Sequence, residues 1–69
     1  MEKVELGIYR HYKGGFYVVL GVAPHTETGE ELVFYRGVKD GKFWIRPKSM
    51  FLEKIVLDGK ETPRFKKLV

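Results

Sequence analysis

The stretch Lys13-Gly14-Gly15-Phe16-Tyr17-Val18-Val19-Leu20-Gly21-Val22-Ala23-Pro24-His25 decides the fold. Two glycines supply the backbone freedom of a tight turn, and an apolar run rich in aromatic and β-branched residues follows. The run lacks the three-to-four-residue apolar spacing of an amphipathic helix and is far short of the ~20 residues needed to cross a bilayer. It reads as one long strand, about Phe16–His25, with Gly21 as its bend point. Alternation places Tyr17, Val19, Gly21 and Ala23 on one side and Phe16, Val18, Leu20 and Val22 on the other. Both sides are apolar, so the strand is expected to be covered on both faces for part of its length.

Outward from this strand the same grammar repeats. Thr28-Gly29-Glu30, Lys39-Asp40-Gly41-Lys42 and Asp58-Gly59-Lys60 are further turn signals. They separate runs that read as strands at about Gly7–Tyr12, Glu31–Gly37, Lys42–Arg46 and Phe51–Leu57. Pro47 blocks continued pairing, so Arg46-Pro47-Lys48-Ser49-Met50 reads as one 3₁₀ turn before the last strand. Short strands at regular spacing indicate a sandwich or barrel. The expected fold is all-β: a five-stranded SH3-like barrel over residues 1–58. Residues 59–69 then form a basic C-terminal tail, packed on the barrel or fraying from it.

A chain of 69 residues makes one domain with a small core. It has no cysteine, which excludes disulfides and thiolate metal sites and suits a reducing cytoplasm. Five Phe, four Tyr and one Trp compensate, because aromatic side chains bury the most surface per residue. The net charge of +4 is a mild basic bias compatible with anionic partners. No signal-peptide core and no membrane span is apparent, and the expected location is the cytoplasm.

Four clusters carry chemistry. In Tyr9-Arg10-His11-Tyr12-Lys13, cations alternate with rings, a pattern that can hold a phosphate while a base stacks; an edge strand guarded by charge has the same pattern. Pro24-His25-Thr26-Glu27-Thr28-Gly29-Glu30-Glu31 holds the groups of acid–base or metal sites, but its spacing matches no zinc pattern, and a polar turn bonding its own backbone explains it equally. Tyr35-Arg36 with Trp44-Ile45-Arg46-Pro47 collects the residue types most enriched at binding hot spots. The competing reading is a core tryptophan flanked by ion pairs to Glu30, Glu31 or Glu53. Met50-Phe51-Leu52-Glu53 reads as a plug at the barrel end. Lys60, Arg64, Lys66 and Lys67 read as a solvated face that attracts phosphate loosely. No metal site and no cofactor is expected.

The order of these residues resembles a known family. Gly7-x-Tyr9-Arg10-His11-Tyr12-Lys13-Gly14, Val19-Leu20-Gly21-x-Ala23-x-His25-Thr26-Glu27-Thr28, Tyr35-Arg36, Trp44-x-Arg46-Pro47-x-x-Met50-Phe51-x-Glu53 and Pro63-Arg64-Phe65 together resemble the bacterial family known as domain of unknown function 1653. The resemblance covers about residues 7–65. It implies a stand-alone small β domain and carries no activity, cofactor or catalytic residue to transfer.

The leading functional expectation is a non-catalytic binding module for an anionic ligand, a nucleic acid or nucleotide, or for a short peptide. Its candidate contacts are Tyr9, Arg10, His11, Tyr12, His25, Thr26, Glu27, Tyr35, Arg36, Trp44 and Arg46. The alternative is a small hydrolase acting on a phosphorylated or modified nucleotide. There His11 or His25 would be the acid–base group, Glu27 its orienter, and Arg36 or Arg46 the anion clamp. Against it stand the absence of an activated nucleophile and the difficulty of enclosing a pocket in so small a domain. A third reading is a structural or regulatory interaction protein, with the chain a monomer or weak homodimer.

Overall fold

The computed structural model describes residues 3–69, so the first two residues of the expected 1–58 unit lie outside the described part. The strands are β1 (Gly7–His11), β2 (Phe16–Pro24), β3 (Glu31–Gly37), β4 (Phe43–Pro47), β5 (Lys54–Leu57), β6 (Lys60–Pro63) and β7 (Phe65–Lys67). A single helical turn, α1 (Lys48–Phe51), lies between β4 and β5. The five-stranded sheet has the order β4-β3-β2-β1-β7, and β5 and β6 form a separate hairpin. All neighbouring strands pair antiparallel.

The all-β expectation stands, and the first five strands lie close to where the sequence places them. The five-stranded closed barrel does not. Seven strands form two sheets, and the main ladder ends at β4 on one side and β7 on the other. The turn after Pro47 is α-helical, not 3₁₀: the Leu52 N–H donates to the Lys48 carbonyl four residues back, at 3.0 Å. Proline at its N-cap needs no N–H there, which is why β4 can end and a helix begin at this residue.

The stretch expected as a tail is structural. Asp58 and Gly59 both have positive φ, 50° and 76°, the two-residue conformation that suits the twist of a hairpin. Leu57 and Lys60 close the turn as a pair. After Arg64, β7 pairs with β1, setting Phe65 opposite His11 and Lys66 opposite Arg10. The chain end continues this pairing, with Ile8 N–H donating to the Val69 carbonyl at 3.1 Å. Gly7 allows that approach: its φ is 144°, and a Cβ there would run into the Val69 carbonyl.

The core lies on one face of the main sheet. Val4, Tyr9, Val19, Val33, Tyr35, Phe51 and Phe65 are buried, with Tyr17, Val22 and Leu52 packed against them. Phe51 stacks on Phe65 with centroids 4.2 Å apart, and meets Tyr9 and Tyr35 edge-on at 5.3 and 5.6 Å. Met50-Phe51-Leu52-Glu53 therefore plugs the core as expected, although only Phe51 is fully buried.

Gly21 marks the irregularity in β2. The pairing with β3 passes from Val19–Tyr35 to Gly21–Phe34, so Leu20 is an extra residue, a β-bulge. The bulge reverses the face pattern: Tyr17 and Val19 face the core before it, and Val22 packs there after it. The expected uninterrupted alternation of β2 is corrected accordingly. So is its covering on both faces, because Phe16 and Leu20 are exposed on the far side.

Candidate functional site

On the core face of the main sheet, a hollow of about 160 Å³ is lined by His11, Tyr17, Tyr35, Trp44, Arg46 and Phe65, from all five strands. Pairing explains how they meet. Trp44 lies opposite Tyr35 across β3–β4, and His11 lies opposite Phe65 across β1–β7. Trp44 and Arg46 share a face through the two-residue period of β4. Trp44 is 47 % exposed, so its indole is a wall of the hollow and not part of the core.

Arg46 is held in place from within. Its Nε–H donates to the Tyr35 hydroxyl oxygen at 3.2 Å, and its guanidinium lies over the Phe65 ring at 5.8 Å. Neither described ion pair uses it: Glu31 takes Lys48 at 3.0 Å, and Glu53 takes Arg64 at 2.8 Å. The competing reading, a core tryptophan flanked by ion pairs to Glu30, Glu31 or Glu53, is not met: among the described residues Arg46 and Arg36 make no ion pair. Among the described residues Arg46 has no carboxylate partner, so the fork is available to an anion.

His11 sits on the opposite wall, against Phe65 at 4.8 Å and Tyr17 at 6.2 Å. Burial pushes its pKa below the ordinary imidazole value, and Arg46, Arg64 and Lys13 push it the same way. Its Nδ1 accepts the Lys13 N–H at 3.1 Å. That bond places the proton of the neutral ring on Nε2, so near neutral pH His11 is an uncharged hydrogen-bond donor. Arg64, ion-paired with Glu53, adds positive potential at His11, and its buried Nε–H has no acceptor among the described residues.

The other sequence candidates lie elsewhere. Tyr9 is buried, and its hydroxyl donates to the Glu5 carbonyl at 2.7 Å. Burial, first among the causes, raises its pKa. Tyr9 is thus a core residue and not a surface contact. Arg10 and Arg36 fall on the opposite face of the sheet, because they alternate with Tyr9 and Tyr35. Tyr12 lies in the turn after β1, its ring 4.6 Å from that of His11 but outside the hollow. His25, Thr26 and Glu27 form the β2–β3 turn, where His25 Nδ1 accepts the Glu27 N–H at 3.1 Å and Thr28 Oγ1 accepts the Glu30 N–H at 3.2 Å. This is the polar turn that bonds its own backbone.

The hydrolase constellation is therefore not assembled. His11 and His25 stand at opposite ends of β2, nine residues long and about 30 Å at ordinary strand rise. Arg36 is turned away from both histidines, its Nε–H donating to the Gly41 carbonyl at 3.2 Å. Among the described residues no three His, Asp or Glu side chains gather as a metal cluster. No helix is long and apolar enough to cross a membrane.

Sequence reasoning missed Tyr17 and Phe65 as lining residues. Tyr17 was visible as an inward position of β2, two residues before Val19. Phe65 was visible only as an apolar anchor in a segment taken for a tail.

Fold and hollow together define a small all-β domain that carries a cationic, ring-lined recess on the core face of its main sheet. The chain belongs to the family described as Protein of unknown function (DUF1653), which it matches over residues 7–67. It is similar to a solved structure described as a protein of that family from Bordetella bronchiseptica, with 30% identity, a TM-score of 0.86, and 96% of this chain and 88% of that one covered. No curated protein matches the sequence.

Proposed function

We propose that this domain is a non-catalytic binding module whose hollow takes an anionic ligand carrying a flat ring: a nucleotide, or the end of a nucleic-acid strand. The observation that carries the reading is the meeting of an exposed indole, an arginine without a carboxylate partner and a neutral histidine in one recess. The ring stacks on Trp44, the phosphate meets the Arg46 fork, and His11 Nε2–H supplies a further donor. A volume of about 160 Å³ is below the ~300 Å³ of a typical small-molecule pocket, so one ring or one anionic group enters and the rest stays outside. The cysteine-free composition suits the cytoplasm, where nucleotides are at hand.

Trp44 is the only tryptophan, so its fluorescence reports on the hollow alone. A nucleoside monophosphate titrated at low salt is expected to change this emission saturably and more weakly at moderate salt. Arg46→Gln is expected to weaken the response at least tenfold while keeping a native circular dichroism spectrum. No change at low ionic strength, with the fold intact, rejects the reading.

A further inference from the structure

The face of the main sheet that turns away from the core is unusual. Its strand positions run Phe43 on β4, Arg36 on β3, Val18 and Phe16 on β2, Arg10 on β1 and Lys66 on β7, neighbours by register. Phe16, Phe34 and Phe43 are 48 %, 40 % and 58 % exposed. Phe34 and Phe43 stack in parallel, Arg36 lies over Phe43 at 5.3 Å, and Arg10 lies over Phe16 at 6.0 Å. No Asp or Glu occupies an outward position on any of these five strands.

Arg10 and Lys66 are direct partners across β1–β7. Like charges set opposite one another in an antiparallel ladder destabilise it, and no carboxylate on this face relieves them. Both line a groove of about 250 Å³ beside the β5–β6 hairpin, together with His11, Tyr12, Leu57, Thr62 and Pro63. Lys13 lies over the ring of Tyr12, a residue of the groove, at 5.7 Å.

We propose that this outward face is a binding platform for single-stranded nucleic acid, with phosphates neutralising Arg10, Lys66 and Arg36 and bases stacking on Tyr12, Phe16 and Phe43. Aromatic rings interleaved with cations on an open sheet bind single strands in this way without reading sequence. The five strands span about 19 Å at ordinary spacing, enough for a short oligomer. Charge decides against the competing occupants. A second copy packed face to face would add Arg10, Arg36 and Lys66 to themselves with no acid between them. A phosphate chain supplies the missing negative charge at each. The platform's cations and rings lie outside the Trp44 hollow; His11 alone lines both recesses, while Trp44 and Arg46 line only the hollow and Arg10 and Lys66 only the groove.

The test uses the full chain and dye-labelled oligouridylate and oligothymidylate of about eight nucleotides, read by anisotropy. Binding is expected at low salt, and Arg10→Gln with Lys66→Gln is expected to weaken it at least tenfold. The same pair should flatten the logarithmic salt dependence by about 1.4, two phosphate contacts at ~0.7 each. Phe43→Ala should weaken binding with little change in salt dependence. The Trp44 response to a nucleoside monophosphate should be unaltered in both variants. Lys66→Gln alone should melt no lower than the wild type, because it removes a like-charge pair, and this separates lost binding from lost folding. The proposal is overturned if the Arg10, Lys66 double variant binds oligomers like the wild type. It is equally overturned if only vesicles rich in phosphatidylserine bind, or if the face instead holds a second copy in sedimentation. Oligomer binding that depends on Arg10 and Lys66 while Trp44 stays silent would sustain the platform and reject the hollow.

Discussion

Phe51 is the residue on which the core turns, with 1 % of its surface exposed and three aromatic neighbours. Phe51→Ala is expected to cost about 3–5 kcal/mol, most of the stability of a domain this small, as read by urea unfolding. Tyr35 joins core to site, since its ring is buried and its hydroxyl accepts from Arg46. Tyr35→Phe should cost about 1–2 kcal/mol and free the Arg46 side chain, so ligand affinity should fall with it. His11 gives the site a pH dependence. Its folded pKa lies below the ordinary 6.5, so between those values the unfolded chain holds the extra proton. Stability therefore falls as pH drops through that window and levels off below the folded value. As the pH is lowered through and below about 6.5, the melting temperature of the wild type should drop by more than that of His11→Asn, which cannot titrate. An equal drop in both would remove His11 as the cause. At this scale the sequence was legible in kind and not in place. The polar and aromatic candidates were visible, but alternation could not tell that Tyr9 faces the core while Trp44 escapes it. Tyr9 is covered by α1 through Phe51, whereas Trp44 lies on an edge strand and keeps 47 % of its surface exposed.

Elements follow the turn chemistry closely. Gly59 has a φ of 76° with nothing near its missing Cβ, so Gly59→Ala should cost about 1–2 kcal/mol through backbone strain alone. A native hydrogen-exchange pattern in β5 and β6 at unchanged stability would contradict this. The first five strands were readable because glycine turns bracket aromatic and β-branched runs. The last two were not, because Lys60–Pro63 and Phe65–Lys67 hold few apolar residues and are separated by a proline. Even so, the Asp58-Gly59 pair announces a hairpin, and a hairpin needs a second strand. The bulge at Leu20 was half legible: Gly21 marked the bend, but no residue type marks an inserted position, so the switch of faces was lost. The role of β7 yields a direct check. A chain ending at Asp58 loses Phe65 from the core and the β7 partner of β1, and is expected to show no cooperative melt. A sharp thermal transition in that fragment would show that the last strands are accessory.

For the whole molecule, the shortest dimension is 18 Å, room for a sheet covered on one face only. This thinness leaves the outer face open and keeps the hollow shallow. It suits a module that holds the end or edge of a larger ligand, not one that encloses a substrate. The net charge of +4 is spread so that both open surfaces are cationic, with Arg46 at one and Arg10, Arg36 and Lys66 at the other. The central claim is that the hollow among His11, Trp44 and Arg46 is a built anion and ring site. Its most direct test is nitrogen-15 NMR of the full chain titrated with a nucleoside monophosphate at low salt. The indole Nε1–H of Trp44 and the Nε–H of Arg46 should shift most, followed by the backbone of His11 and Tyr17, while the turn at His25–Glu30 stays unmoved. Shifts confined to that turn, or none at all, would contradict the account.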